Sequence, residues 1–220
     1  MGIARSLEQR LERLADGLSA TVFRGRMHPV DLANRLVRQA DLMMKEGVSG
    51  PHIPNHFFVA VSQKDLDPGI DVDLLTAELG RTLAETATDR GWRIGGPIAV
   101  DLAIDNSVGK GSIKCSATSA PASISAWGAL VEHRGERSFD LTDNRCVVGR
   151  SEDADIRLEE AEVSRHHAVV FRQGDKLWIL DMDSANGTSV NGSGIGSKPS
   201  EIGPGDMLSF GPAIFAVKLT

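Results

Sequence analysis

Between Val148 and Asn191 the chain places Gly149-Arg150, Ser164-Arg165-His166-His167, Asn186-Gly187 and Asn191-Gly192, with short alternating segments between the clusters. A guanidinium, a hydroxyl and a carboxamide, each beside turn-forming residues, suit one chemistry: gripping a phosphate and the peptide that carries it. A phosphorylated threonine brings a charge of roughly −1.5 to −2 and three strong acceptor oxygens. It calls for a forked guanidinium contact, a hydroxyl and backbone amides free to point at the anion. Each cluster alone has a plainer meaning. Gly149-Arg150 is then a turn with a solvated arginine, Ser164 a cap and Asn186-Gly187 a hairpin turn. Adjacent His166 and His167 suggest a metal, but strand neighbours point to opposite faces, which argues against joint ligation.

No other stretch offers a comparable set. Gly109-Lys110-Gly111-Ser112 looks phosphate-like but lacks the Walker spacing. There is no Gly-x-Ser-x-Gly elbow. His52 and His56 flank Pro54, so helical i, i+4 metal ligation fails. Gly47-Val48-Ser49-Gly50 has the form of a KH-type RNA loop but no basic helix behind it. Asp71 and Asp73 mark a helix start. The expectation is therefore no catalytic set, no metal and no cofactor.

Composition bounds the answer further. The 220 residues suit one or two domains, and 41% hydrophobic with 25% charged content allows a core in each. The net charge of −6 argues against a general nucleic-acid or membrane-surface binder. Residues 1–124 hold 14 Lys and Arg against 15 Asp and Glu, net −1; residues 125–220 hold 10 against 15, net −5. An anion site in the second half must therefore be a local cluster of cations, working against an acidic domain. Two cysteines, Cys115 and Cys146, make neither a disulfide framework nor a zinc set and suit a reducing cytoplasm. The N-terminus has no apolar signal core, and no run of about 18 apolar residues predicts a membrane insertion.

The elements that must position these residues are read from periodicity. Leu7, Leu11, Leu14 and Leu18 form one stripe, predicting a helix over residues 3–18. Pro29 and Asp31 start a second helix, with Val30, Ala33, Leu36, Val37 and Ala40 as its core stripe and Met43 and Met44 as filler. A short strand runs from Phe57 to Ser62. Asp73 opens a third helix, with Leu74, Leu75, Leu79, Leu83 and Ala87 on its apolar side, and Gly91 ends it. Segments 97–105 and 109–117 read as a hairpin. The order α-α-β-α-β-β is a small α+β domain. The small, polar tract Ser116–Ser125 reads as a linker. From Trp127 onward the pattern is β throughout, with nine candidate strands and turn signals between them, as in a β-sandwich or barrel.

Four blocks carry a resemblance. Val148-Gly149-Arg150-Ser151, Val163-Ser164-Arg165-His166-His167-Ala168, Ser184-Ala185-Asn186-Gly187-Thr188 and Val190-Asn191-Gly192 resemble, in order and spacing, the signature of the forkhead-associated (FHA) domain over residues 126–220. The resemblance implies an eleven-stranded all-β sandwich whose loops at one end bind phosphothreonine peptides. It implies that Arg150 and Ser164 contact the phosphate, that Arg165 supports it and that Asn186 bonds the peptide backbone. Gly149, His167 and Gly187 would shape the loops, with His167 buried. Where many members carry Thr before the Asn-Gly, this chain has Ala185, which removes a hydroxyl from the site.

The helical opening, His28-Pro29-Val30-Asp31-Leu32-Ala33, Pro54-Asn55-His56-Phe57 and Gly91-Trp92 resemble the N-terminal domain of bacterial FhaA-type proteins. The expected layout is residues 1–118 as that domain, 119–125 as a short linker and 126–220 as the FHA domain. The resemblance implies a non-catalytic signalling adaptor acting with bacterial Ser/Thr kinases in cell-wall or division control. Its partners would be phosphothreonine proteins, kinases and cell-envelope proteins. It would act in the cytoplasm, recruited to the inner face of the membrane by a partner. Two alternatives stand beside it: a phospho-independent structural or oligomerisation scaffold, with Thr118 as a self-docking variant, and RNA binding by the N-terminal domain.

Overall fold

The structure is a computed structural model that describes residues 28–66, 68–121, 125–174 and 176–220. The helix expected over residues 3–18 lies outside the described residues. The chain forms two compact units divided near residue 122.

In the first unit, helix α1 (Pro29–Met43) starts where Pro29 needs no backbone hydrogen bond. His28 Nδ1 accepts from Val30 N (3.3 Å), and the Asp31 carboxylate accepts from His28 N (3.2 Å), closing a capping box. Leu32, Ala33, Leu36, Val37 and Ala40 are buried, whereas Met43, expected as filler, is exposed. Helix α2 (Val72–Asp89) is capped by Asp71, whose Oδ1 accepts from Leu74 N (2.9 Å). Its core face is Leu75, Leu79, Leu83 and Ala87. Leu74, expected on that face, is 45% exposed, because one residue back from Leu75 turns it about 100° around the axis. Gly91 ends the helix at φ +69°, and Trp92 is buried behind it, as a core anchor for this helix should be.

The strands β1 (His52–Ile53), β2 (His56–Val61), β3 (Arg93–Ile94), β4 (Ala99–Ile104) and β5 (Ile113–Thr118) form two small sheets. The expected hairpin between the last two does not exist. The order is β4-β2-β5, with β4 parallel and β5 antiparallel to β2. Helix α2 is the crossover that lets β4 run parallel to β2. The 105–112 connection then carries the chain past the end of β2 to its other edge: Asp105 N donates to Val61 O (2.9 Å), and Gly111 N donates to Asp65 Oδ2 (2.7 Å). Strand β2, with Phe57, Val59 and Val61 buried, is apolar enough to be central. Local turn signals between 97 and 117 cannot reveal that preference.

The expected linker also starts later than its composition suggests. Ser116 to Thr118 pair with Phe58 to His56, and Asn55 brackets Ala120 through Nδ2 (3.1 Å) and Oδ1 (2.9 Å). Small polar residues serve an edge strand as well as a linker when a neighbour supplies the hydrogen bonds.

The second unit is the all-β sandwich. Its strands are β6 (Gly128–Glu132), β7 (Ser138–Leu141), β8 (Arg145–Gly149), β9 (Ile156–Arg157), β10 (Ala168–Gln173), β11 (Lys176–Asp181), β12 (Thr188–Val190), β13 (Ser193–Gly194), β14 (Ser200–Ile202), β15 (Met207–Phe210) and β16 (Ala213–Leu219). One sheet has the order β14-β11-β10-β8-β9, the other β13-β12-β15-β16-β6-β7. Leu130, Leu141, Val148, Val170, Ile179, Leu208, Phe210 and Phe215 fill the space between them and are fully buried. Strands β13 and β14 were not expected, because residues 193–202 are rich in Ser, Gly, Lys and Pro; pairing with β12 and β11 extends them.

The register decides where the site can be. Strand β10 runs antiparallel to both β8 and β11, pairing Ala168 with Val148 and with Asp181. The end of β8, the start of β10 and the end of β11 therefore lie together. The loops 150–155, 158–167 and 182–187 share one end of the sandwich.

Candidate functional site

Gly149 closes β8 against the 158–167 loop. A Cβ there would overlap the carbonyl of Arg165, so only glycine allows this approach. The two loops are then laced by backbone: Arg150 N donates to Ser164 O (2.9 Å), and Ser151 N donates to Arg165 O (3.0 Å). Val163 is buried and anchors the loop in the core. Its carbonyl accepts from Arg150 Nε (3.2 Å). That bond fixes the guanidinium and leaves both Nη groups of exposed Arg150 for a forked contact. Exposed Arg165 has its backbone held and, among the described residues, makes no side-chain hydrogen bond or ion pair.

Ser164 and His167 form the next layer. His167 is fully buried, packed edge-on against Phe210 at 5.8 Å. Its Nδ1 accepts from Ser164 N (3.1 Å), so its proton sits on Nε2, which donates to Gly187 O (3.1 Å). One imidazole thus ties the serine loop to the 182–187 loop. Gly187 holds φ +76°, a left-handed conformation that side chains avoid. Ser164 Oγ accepts from Ala185 N (3.0 Å), which leaves its hydrogen to donate elsewhere. Asn186 Nδ2 donates to Glu162 O (2.7 Å); the bond fixes the amide's orientation and leaves Oδ1 as an outward acceptor.

The structure thus gathers Arg150, Ser164, Arg165 and Asn186 on three adjoining loops, with Gly149, His167 and Gly187 beneath them. Arg150, Arg165 and Asn186 are exposed, and Ser164 is half-buried. The arrangement can present two guanidinium groups, a hydroxyl donor and a carboxamide acceptor to an anionic peptide. Asn191-Gly192 turns out differently. Both residues hold positive φ, 51° and 79°, as the two-residue type I′ turn between β12 and β13 requires. The Asn191 side chain is spent on Asp206 Oδ1 (2.8 Å) and Met207 N (2.9 Å), so this block is scaffold.

Three supporting groups escaped the sequence reading. Asp181 accepts from Ser184 Oγ (2.6 Å), Ser184 N (3.0 Å) and Thr188 Oγ1 (2.5 Å), shaping the 182–187 loop. Burial pushes its carboxyl up, but these hydrogen bonds outweigh burial and hold it below the usual carboxylate range. The Asp-x-x-Ser spacing is a turn signal that could have revealed it. Asp153 accepts from His166 Nε2 (2.8 Å) across the first two loops, and Ser151 and His166 hold its carboxylate low. Arg137 bonds Glu132 (2.5 Å) and Glu160 (2.6 Å), tying the 158–167 loop to β6. No local pattern announces those last two contacts. Neither cysteine joins the site: burial pushes the Cys115 thiol up to about 11, and Cys146 is buried in the core.

Residues 5–116 match the family model of the FhaA N-terminal domain, and residues 146–211 match that of the FHA domain. Among curated relatives, the FHA domain-containing protein FhaA of Mycobacterium tuberculosis is 29% identical over 83 residues, 38% of this chain and 15% of that protein. The oxoglutarate dehydrogenase inhibitor of Corynebacterium jeikeium is 42% identical over 65 residues, 28% of this chain and 45% of that protein. The chain thus spans less than half the length of these relatives. A similar solved structure is M. tuberculosis EmbR in complex with a low-affinity phosphopeptide, at 32% identity and a TM-score of 0.41, covering 43% of this chain and 25% of that one. The N-terminal match takes in just over half of the chain and the FHA match follows it, so the chain belongs to the FhaA family: an FhaA-type N-terminal domain followed by an FHA domain.

Proposed function

We propose that this protein is a non-catalytic adaptor whose FHA domain docks phosphothreonine segments of partner proteins. Arg150 and Ser164 hold the phosphate, Arg165 adds charge beside it, and Asn186 Oδ1 accepts a backbone N–H of the bound peptide. One observation carries the reading. Arg150, Ser164 and Asn186 are each held by one internal bond to backbone, and each keeps the group that an anionic peptide needs. Such preorganisation lowers the ordering cost of binding. The FHA match supports the same reading. In this proposal bacterial Ser/Thr kinases write the mark. The partners include cell-envelope proteins that draw the adaptor from the cytoplasm to the inner face of the membrane, in cell-wall or division control.

Calorimetric titration with a phosphothreonine peptide and its unphosphorylated twin tests the core of the proposal. Only the phosphorylated peptide should bind, and Arg150→Ala should abolish the heat. Equal binding of the two peptides would discard phosphate recognition. Unchanged binding by Arg150→Ala would discard the site assignment.

A further inference from the structure

Away from the FHA loops, the first unit holds a polar cleft of about 400 Å³ between α1 and the start of β5. It is lined by Asp31, Asn34, Arg35 and Arg38 of the helix and by Gly111, Ser112 and Ile113. The Gly109-Lys110-Gly111-Ser112 loop, set aside as a Walker motif, thus faces two arginines. Neither arginine has an ion pair or hydrogen bond among the described residues. Arg35 Nε is buried without a partner. A buried guanidinium N–H is costly to leave unmade, so Arg35 lacks an acceptor that its burial calls for. Of the nearby carboxylates, Asp31 accepts from His28 N (3.2 Å) and Asp65 accepts from Gly111 N (2.7 Å), each through Oδ2, while Asp65 Oδ1 is buried without a partner.

We infer that this cleft is a second oxyanion site, selective for a phosphoryl group. Two guanidinium groups can balance a phosphate dianion, and donors from both walls suit a tetrahedral group better than a flat carboxylate. The Asn34 amide and the Ser112 hydroxyl add neutral donors at the same cleft. Gly111 holds φ +74° and is pinned by Asp65, so this wall of the cleft is set before a ligand arrives. The phosphoryl group can come from free phosphate or from a phosphorylated side chain, and the two share this chemistry.

The test uses the full chain, labelled with nitrogen-15 and titrated with inorganic phosphate, and the Arg150→Ala variant titrated with a phosphothreonine peptide. Saturable shifts are expected at the backbone amides of Asn34, Arg35, Ser112 and Ile113. The phosphate titration should show binding about tenfold weaker in Arg38→Gln, the loss of one charge-assisted contact. Arg38 is exposed, so that variant keeps its fold. Arg35→Lys, which retains charge but not the forked guanidinium, should weaken binding as well. A response to both ligands assigns the site to a phosphorylated side chain; a response to phosphate alone assigns it to the free ion. Three results would overturn the inference: no saturable shift at these amides, an equal response to acetate at matched ionic strength, or an Arg38→Gln response equal to that of the unaltered chain. The inference does not rest on the FHA reading, since Arg150→Ala removes one site and Arg38→Gln the other.

Discussion

Ala185 donates its backbone N–H to Ser164 Oγ, and it carries a methyl group where a threonine would carry a hydroxyl. Ala185→Thr should therefore add a donor without disturbing the bond that orients Ser164. A charge-assisted hydrogen bond contributes about 1.5–3 kcal/mol, so the phosphopeptide should bind about tenfold tighter or better by calorimetry. Unchanged affinity would show that position 185 lies out of reach of the phosphate. Gly149 works by what it lacks. Gly149→Ala forces a methyl into the Arg165 carbonyl, and overpacking of this kind costs about 1–3 kcal/mol. Urea denaturation should show that loss, with phosphopeptide binding lost alongside, because the Arg150 and Ser164 loops are laced through this approach.

At the scale of elements, the 182–187 loop is held by Asp181 from its first turn and by His167 from below. The Asp181 carboxyl is held low in the folded chain, so the folded state favours the ionised form. Its contribution to stability is fully present above the unfolded value of about 3.9 and is lost as pH falls through the lower folded value. Acid titration of stability should show this loss, and Asp181→Asn should flatten that part of the curve while loosening the loop. A variant with the same acid profile as the original chain would remove Asp181 from this role. The hairpin expected from 97–117 failed at the same scale. Its two strands lie on opposite edges of β2, an order that the turn between neighbours does not reveal.

Over the whole molecule, charge sets how a partner arrives. The FHA half carries net −5 against a local pair of cations, Arg150 and Arg165. The long-range field of an acidic domain slows an acidic partner and speeds a basic one. A phosphothreonine peptide with lysine flanks should associate faster than one with glutamate flanks, and surface plasmon resonance at low salt should show the gap closing as salt rises. Equal association rates at low salt would mean that the local cations alone govern approach.

Much of the candidate site's loop geometry was legible from the sequence, because its parts are turn residues bound to strand ends. Gly149, Gly187 and Asn191-Gly192 are required by backbone conformation or close approach, and such requirements appear as residue types at fixed spacing. Alternation likewise announced the sandwich, since burying one face of a strand imposes a period of two. Only the tertiary structure decided what those residues touch: that His167 links two loops through both ring nitrogens, that Asn191 is scaffold while Asn186 faces outward, and that Arg35 and Arg38 meet the Gly109–Ser112 loop. The physical reason is the same in each case. Conformation is a local property that the chain writes residue by residue, whereas contacts between segments far apart in sequence follow from register and strand order, which local pattern does not encode.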